Sequence, residues 1–331
     1  RNGGYERHLL TSLGDVVLRV PRTRTSSGQA ILSLIGGRRQ RDVEEAILLS
    51  FLLGNSTRKV GESLERVLGE KISASTVSRI AQSLDEQVTS FHQRELTGSY
   101  TCLLLDGVVL KHKTGMGSKK RCVLVALGLL ADGRKEVLDW RIESSESEAA
   151  WTRFLNSLVR RGLQGTSFEM ITVDGGAGLL AALEVVFHDK PVQRCWAHKM
   201  RNLMNYAKKG DETRIKQALR RIYQAKNAKD ARSAAGRFKA RFANQYPKMV
   251  RSLAKDIDQL LTFFRIKDPD QQRRVRTTNY IERCFREVRR RTRPMGVFEN
   301  VTSIERILFA VFLRENKQQK IPTLFPLTQK R

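Results

Sequence analysis

Two strongly apolar stretches each carry a carboxylate, and this limits the possible folds more than any other feature of the chain. Asp106 interrupts TCLLLDGVVL at 101–110, and Asp174 ends FEMITVD at 168–174. Burying an unpaired carboxylate costs several kcal/mol, so the fold must bring something to each acid that offsets that penalty. Two carboxylates at strand ends of one sheet can converge, and such a pair favours hard, oxygen-seeking cations such as Mg²⁺. Gly175 and Gly176 follow the second acid and leave room for close approach of backbone or substrate.

The elements around the acids read in a definite order. Strands are expected at 101–110, 121–130 and 136–143, the last two joined by the turn Ala131-Asp132-Gly133-Arg134. A helix follows over 147–161, with Trp151, Phe154, Leu155 and Leu158 on one face and Gly162 as its stop. Then come the strand ending in Asp174, a glycine-led helix over 175–187, and the short strand PVQRC at 191–195. The order is βββαβαβ. With aspartates on the first and fourth strands and a glutamate on a later helix, it is the plan of ribonuclease-H-like nucleases and integrases.

Upstream, 5–20 alternates apolar and polar residues about Leu13-Gly14-Asp15 and predicts a β-hairpin ending at Pro21, followed by a basic Ser/Gly-rich linker. Helix signals begin near Asp42. Asn55 or Ser56 can cap a second helix through Leu68, and after GEKI, Ser73 or Ser75 can cap a third, STVSRIAQSLDEQV. This is helix-turn-helix spacing, with Thr76, Ser78, Arg79 and Gln82 expected to face outward toward base edges. Trihelical packing with no DNA contact is the structural alternative.

Charge points to the partner. Among 331 residues, 61 Lys and Arg stand against 34 Asp and Glu, a net +27, far beyond what solubility requires. A polyanion is expected. Residues 199–251 alone hold 16 Lys and Arg against 3 Asp and Glu on helical spacing. A further helix, YIERCFREVRRRTR, runs to Pro294, another spans about Thr302 to Glu315, and the tail is polar. Charge alone would also fit a general RNA-binding protein. Four cysteines, Cys102, Cys122, Cys195 and Cys284, stand singly, and no run of 18 apolar residues or signal-peptide pattern occurs. A reducing cytoplasm, with no membrane contact, is the expected setting. Because the chain opens on Arg1, an upstream portion is expected as well.

The blocks YTCLLLDGVVL, ITVDGGAGLLAAL, PVQRCWAHKMRN and TTNYIERCFREVRRRTRPMGVF resemble Mutator-type bacterial insertion-sequence transposases. SLGDVVLRVPRTR and LGNSTRKVGESLERVLGEKISASTVSRI are similar to the same family, so the resemblance runs from about residue 10 to 313. It implies a DDE triad on Asp106, Asp174 and Glu282, holding two Mg²⁺ ions that Mn²⁺ can replace. It also implies a helical insertion that accounts for the 107 residues between Asp174 and Glu282. Terminal inverted repeats and target double-stranded DNA are the implied partners, a homodimer the implied assembly, and a circular DNA intermediate the implied product.

The fold expectation is therefore α/β, a ribonuclease-H-like catalytic core with an all-helical insertion, preceded by a helix-turn-helix region. Its parts are hairpin and linker (1–40), helix-turn-helix (41–95), core (96–198), basic insertion (199–270), C-terminal core helices (271–315) and tail (316–331). Phosphate contacts are expected at Lys199, Arg201, Arg276, Asn279, Arg283 and Arg290. The resemblance also carries a Cys-x-x-His element onto Cys195 and His198. Two ligands do not make a structural zinc site, which leaves bracing of the active site, contact with the scissile phosphate, or metal binding. Trp196 between them suits base stacking or the core.

Three glutamates compete for the third acid. Ile281, Phe285 and Val288 define a buried stripe, and Glu282 sits at its edge. Glu287 lies among arginines as a salt-bridge partner, and Glu305 belongs to a separate helix. A non-catalytic DNA-binding regulator with a degenerate nuclease fold, or a structure-specific nuclease, is the competing reading.

Overall fold

The computed structural model describes residues 3–12, 14–22, 39–114, 117–293, 298 and 300–320. Most of the expected linker, Pro294, Gly296 and the last eleven residues lie outside them. Strands β1 (Gly4–Thr11) and β2 (Gly14–Pro21) pair as the expected antiparallel hairpin. Four helices follow, α1 (Arg41–Leu52), α2 (Thr57–Leu68), α3 (Ala74–Gln82) and α4 (Asp85–Gln93). Ser56 and Ser73 cap α2 and α3 by accepting from the Lys59 and Thr76 amides, and Gly69 ends α2 at φ 71°.

Two expectations for this region need correction. The third helix breaks at Ser83-Leu84 into α3 and α4, where Leu84 is fully buried and stands as the N-terminal cap residue of α4. Thr76 does not face outward. It is buried, and its hydroxyl accepts from the Ser73 hydroxyl at 3.0 Å, so the capping residue turns it inward. Arg79 and Gln82 are exposed and Ser78 partly so.

The central sheet has the order β5-β4-β3-β6-β7. It is built from β3 (Tyr100–Thr114), β4 (Gly117–Leu129), β5 (Lys135–Glu143), β6 (Phe168–Val173) and β7 (Val192–Arg194), with α5 (Glu148–Arg160) after β5 and α6 (Ala177–Val186) after β6. This is the expected βββαβαβ order. The β3–β4 and β4–β5 pairs are antiparallel, and β6 lies parallel to β3 and β7. The β3–β4 arm is longer than expected at both strands.

Period-two alternation divides the core between the two faces. Leu103 and Leu105 of β3 and Leu124 and Ala126 of β4 pack against Trp151, Phe154 and Leu158 of α5. Cys102, Leu104, Val123 and Val125 belong to the opposite face. That face is covered by the C-terminal helices α12 (Asn279–Thr292) and α13 (Val301–Gln318). Asn316 of α13 fixes itself to β5 by bonding both the amide and the carbonyl of Val137.

Between β7 and α12 the chain is helical, as expected, through α7 (Trp196–Met204), α8 (Glu212–Tyr223), α9 (Ala228–Phe242), α10 (Pro247–Leu260) and α11 (Pro269–Val275). The expected boundary at 199 falls inside α7. Gln193 and Trp196 both donate to the Leu260 carbonyl, at 3.0 and 2.7 Å, and thereby hold α10 to the sheet edge. No helix among the described residues is long and apolar enough to cross a membrane.

A buried polar knot joins α4, β5, α5 and α13. Asp139, fully buried, accepts from Arg161 at 2.5 Å and pairs with His92 at 2.6 Å, while Glu305 accepts from Trp140 at 2.5 Å and lies 3.4 Å from His92. Burial opposes protonation of His92, but the hydrogen bonds to Asp139 and Glu305 outweigh it and raise its pKa to about 9. The knot's contribution to stability is therefore complete below the ordinary histidine value near 6.5 and is lost as pH rises through about 9. Denaturant titrations should show ~3 kcal/mol at most disappearing over that window. His92→Gln should flatten the profile, and an unchanged slope would place the titration elsewhere.

Candidate active site

Parity along β3 sends Asp106 to the same face as Cys102 and Leu104, toward α12. Leu105 pairs with Val173 in the parallel β3–β6 register, so Asp106 and Asp174 follow on neighbouring strands at the same level. Asp174 caps the turn after β6 by accepting from the Gly176 amide at 2.8 Å. Gly175 adopts φ +95°, and the Arg194 guanidinium occupies the space a Cβ there would need. Glu282 stands in the first turn of α12, with its carboxylate 3.1 Å from Arg201 and 3.3 Å from His198.

Cys195, His198 and Thr278 tie these elements together. His198 Nδ1 lies 3.4 Å from Cys195 Sγ, and the Thr278 amide donates to the same sulfur at 3.3 Å. His198 thus touches the thiol with one nitrogen and Glu282 with the other. The Cys195 bond raises the His198 pKa to about 9 against the opposing effect of burial, helped by the negative charges of Asp106 and Glu282. Burial pushes the Cys195 thiol up, yet hydrogen bonds from His198 and Thr278 bring it below its ordinary value.

Asp106 is only 3% exposed. Burial raises its pKa to about 7, and the charges of Asp174 and Glu282 push the same way, opposed by His198 and the Thr278 hydroxyl. It opens on a cleft of about 780 Å³ lined by Gly107, Val108, Val109, His198, Arg201, Glu282, Phe285 and four arginines of the α12 segment.

Among the described residues, no three acidic, histidine or cysteine side chains are gathered tightly enough to hold a metal ion as they stand. Glu282 is engaged by two cationic partners. The donor chemistry nevertheless fits a hard cation. Asp106 and Asp174 offer carboxylate oxygens on adjacent strands, and a positive charge there would relieve the burial and repulsion that hold Asp106 high.

Several expected phosphate ligands lie elsewhere. Lys199 is buried, its ammonium bonded to Asp256 at 2.6 Å and to the Ser252 carbonyl at 2.7 Å, so it braces α7 against α10 and does not reach DNA. Arg276 turns inward as well, donating to the Tyr223 carbonyl and lying over its ring. Trp196 is core, stacked near Tyr223. Arg283 and Asn279 are exposed, but Arg283 acts on Lys135 and Tyr280, beside β5. Arg201 and Arg290 do line the cleft. Of the competing glutamates, Glu287 pairs with Arg291 at 2.8 Å, and Glu305 belongs to the His92 knot.

Sequence reasoning missed three sets of residues. Thr278, fully buried just before α12, connects to both Cys195 and His198. Arg286, Arg289 and Arg293 fall on the same helical stripe as Glu282, a spacing visible in the sequence. Glu146 approaches from the opposite face of the sheet. It accepts from Trp151 at 3.3 Å, and its carboxylate fills the space a Cβ on Gly107 would take. Burial, with the charge of Asp174, raises the Glu146 pKa. Its place immediately before the α5 cap Ser147 is the only sequence cue.

An α/β protein with acids on adjacent strands, Asp106 within β3 and Asp174 just past β6, a helix glutamate and an arginine-lined cleft has the features of a phosphoryl-transfer enzyme acting on nucleic acid. The sequence profile of the Mutator family of transposases matches residues 1–320, and the chain belongs to that family. It is 34% identical to the transposase for insertion sequence element IS905 of Lactococcus lactis, over 96% of this chain and 80% of that protein. It is 33% identical to the transposase for ISRM5 of Rhizobium meliloti over 94% and 77%. It is 31% identical to the transposase for IS256 in transposon Tn4001 of Staphylococcus aureus over 95% and 80%.

The raised Asp106 pKa gives the site a stability signature. A carboxyl whose folded value is about 7 instead of 3.8 binds its proton more tightly when folded, so stability falls as pH climbs through that interval. Asp106→Asn should therefore raise the melting temperature at pH 8 by the equivalent of a few kcal/mol, up to ~4. The gain should vanish near pH 4, and an equal gain at both pH values would refute the assignment of strain to this carboxylate.

Proposed function

We propose that the chain binds the terminal inverted repeats of an insertion sequence, cleaves DNA strands there and joins the 3′-hydroxyl ends to target DNA. Asp106, Asp174 and Glu282 serve as its catalytic carboxylates. The observation that supports this most strongly is that Asp106 and Glu282 line one cleft, Asp174 stands beside Asp106 on the next strand, and both other acids act on the Asp106 charge. The sheet order and the late helix glutamate favour a ribonuclease-H-like core. The exposed Arg79 and Gln82 on the capped helix α3 keep the helix-turn-helix reading for 41–95 open to DNA.

Asp106, Asp174 and Glu282 would hold divalent ions, two Mg²⁺ with Mn²⁺ as substitute. Such ions, when bound, polarise the phosphate and the attacking hydroxyl or water. The chain's own residues contribute the rest. His198 and Arg201 hold the Glu282 carboxylate at the cleft and supply positive charge next to the phosphate. The Cys195–Thr278 contact fixes His198. Glu146, bonded to Trp151, keeps negative charge behind Gly107 and beside Asp174. Two copies of the chain, one for each element end, fit the reaction.

Labelled element-end DNA incubated with Mg²⁺ should yield cleaved and joined products with the wild-type protein. Asp106→Asn, Asp174→Asn and Glu282→Gln should bind DNA yet give neither product, a loss of at least about a hundredfold, the size seen on removing one electrostatic group from an active site. Glu287→Gln should remain active, and Glu146→Gln should be impaired without being silent. Joined products from Glu282→Gln, or their loss in Glu287→Gln, would reassign the third acid. Binding without products in the wild type would favour a DNA-binding regulator.

A further inference from the structure

Arg194, the last residue of β7, is a largely buried cation that its ion pair does not account for. Its side chain is 15% exposed, and the partner carboxylate, Asp256 of α10, stands 3.7 Å away. Asp256 is already engaged by Lys199 at 2.6 Å. The Arg194 Nε is buried and has no hydrogen-bond partner among the described residues. Burying a cation is costly unless its partner is close and its donors are met, and so loose a pair offsets little of that cost.

What the guanidinium does touch is the turn that carries Asp174. β7 runs parallel to β6 with Arg194 opposite Val173, the residue before Asp174. Gly175 holds φ +95°, and the Arg194 guanidinium fills the volume that a Cβ on it would take. At the next residue, a Cβ on Gly176 would meet carboxylate oxygens of Asp174 and Glu146 at 3.5 and 3.7 Å. The turn is thus flanked by a cation at Gly175 and an anion at Gly176, and Asp174 closes it by accepting from the Gly176 amide. Two successive glycines bring no side chain of their own to fix the backbone, so neighbouring groups must do so. Arg194 is not among the residues that line the cleft, which separates its role from that of a substrate ligand.

We propose that Arg194 is a positioning residue for Asp174. Its guanidinium, packed on Gly175 and tethered to Asp256 of α10, fixes the turn that aims the Asp174 carboxylate. The helical insertion thereby sets the second acid as well as the third. The proposal rests on the transposase reading of Asp174 and adds to it the group that holds this acid in place.

Two readouts on the full chain test this: joining of labelled element-end DNA in Mg²⁺ at saturating DNA, and hydrogen–deuterium exchange of the 174–178 backbone in the free protein. Arg194→Gln should bind end DNA as the wild type does but join it about a hundredfold more slowly, the scale of a 1 Å misplacement of a reacting group. Its exchange should quicken at 174–178 and stay unchanged in β3. Arg194→Lys keeps the charge without the planar group and should be slowed in joining as well, which carries the test if the glutamine variant fails to fold. Arg161→Gln, which breaks the buried pair with Asp139, should lower the melting temperature yet join at the wild-type rate. Gly175→Ala drives a methyl into the guanidinium and should slow joining by itself. Adding Arg194→Gln to it should cost little more, because the turn is already displaced. Wild-type joining and exchange in either Arg194 variant, or the same loss from Arg194→Gln with and without Gly175→Ala, overturns the proposal. A wild type that yields no joined product overturns the transposase reading instead, and exchange at 174–178 still decides whether Arg194 holds the turn.

Discussion

The site depends on the closure of one long loop. The chain leaves the sheet at Cys195-Trp196 and returns at Arg276–Thr278, some eighty residues later. The two points are joined by the Trp196 amide donating to the Arg276 carbonyl at 3.0 Å and by the Thr278 amide donating to Cys195 Sγ at 3.3 Å. The Cys195 amide in turn donates to the Val173 carbonyl, next to Asp174. Closing a flexible segment of that length carries an entropy penalty of roughly 4 kcal/mol, and a pair of hydrogen bonds contributes only about 1 kcal/mol each. The helical packing within the insertion, centred on Phe238, Phe242 and Leu253, must therefore supply most of the closure. Glu282 is thus positioned by the folding of a helical segment that lies outside the sheet.

That closure gathers like charges. Asp106, Asp174 and Glu282 repel one another, and the chain does not neutralise Asp106 with a direct ion pair among the described residues. It surrounds the group instead with His198, the Thr278 hydroxyl and, around Glu282, Arg201. Elsewhere the same molecule buries carboxylates with full partners. Asp139 has His92 and Arg161, and Asp256 has Lys199. The contrast separates acids that are fully paired within the fold from one whose charge the fold leaves only partly balanced.

The legible part of the fold is the part governed by local pattern. Apolar runs with period two, the Asp132-Gly133 turn, the Ser56 and Ser73 caps and the Ile281, Phe285 and Val288 stripe all carry their structure within a few residues, and each forms as expected. Position at the edge of that stripe also turns Glu282 toward the cleft that Asp106 lines. What sequence does not supply is direction in three dimensions. Lys199 and Arg276 sit in a strongly basic segment and look like phosphate ligands, but their partners, Asp256 and the Tyr223 ring, lie some fifty residues away. Thr76 is turned inward beside the capping Ser73, and the break falls at Leu84, which is fully buried. Glu146 shows the same limit, because its relation to Gly107 exists only once α5 has packed on the sheet.

The Cys-x-x-His element takes its meaning from the same geometry. Of the three roles open to it, bracing has direct structural support, since Cys195 bonds Thr278 at the start of α12 and His198 bonds Glu282 one turn inside it. The spacing is what a helix start requires. Cys195 is the residue before α7 and His198 lies in its first turn, so thiol and imidazole meet on one side of the helix. Two residues next to the last strand of the sheet thus grip both the backbone entering α12 and the carboxylate that α12 carries. Substituting either one would loosen the angle of α12, and with it the arginine row that continues from Glu282 along the cleft.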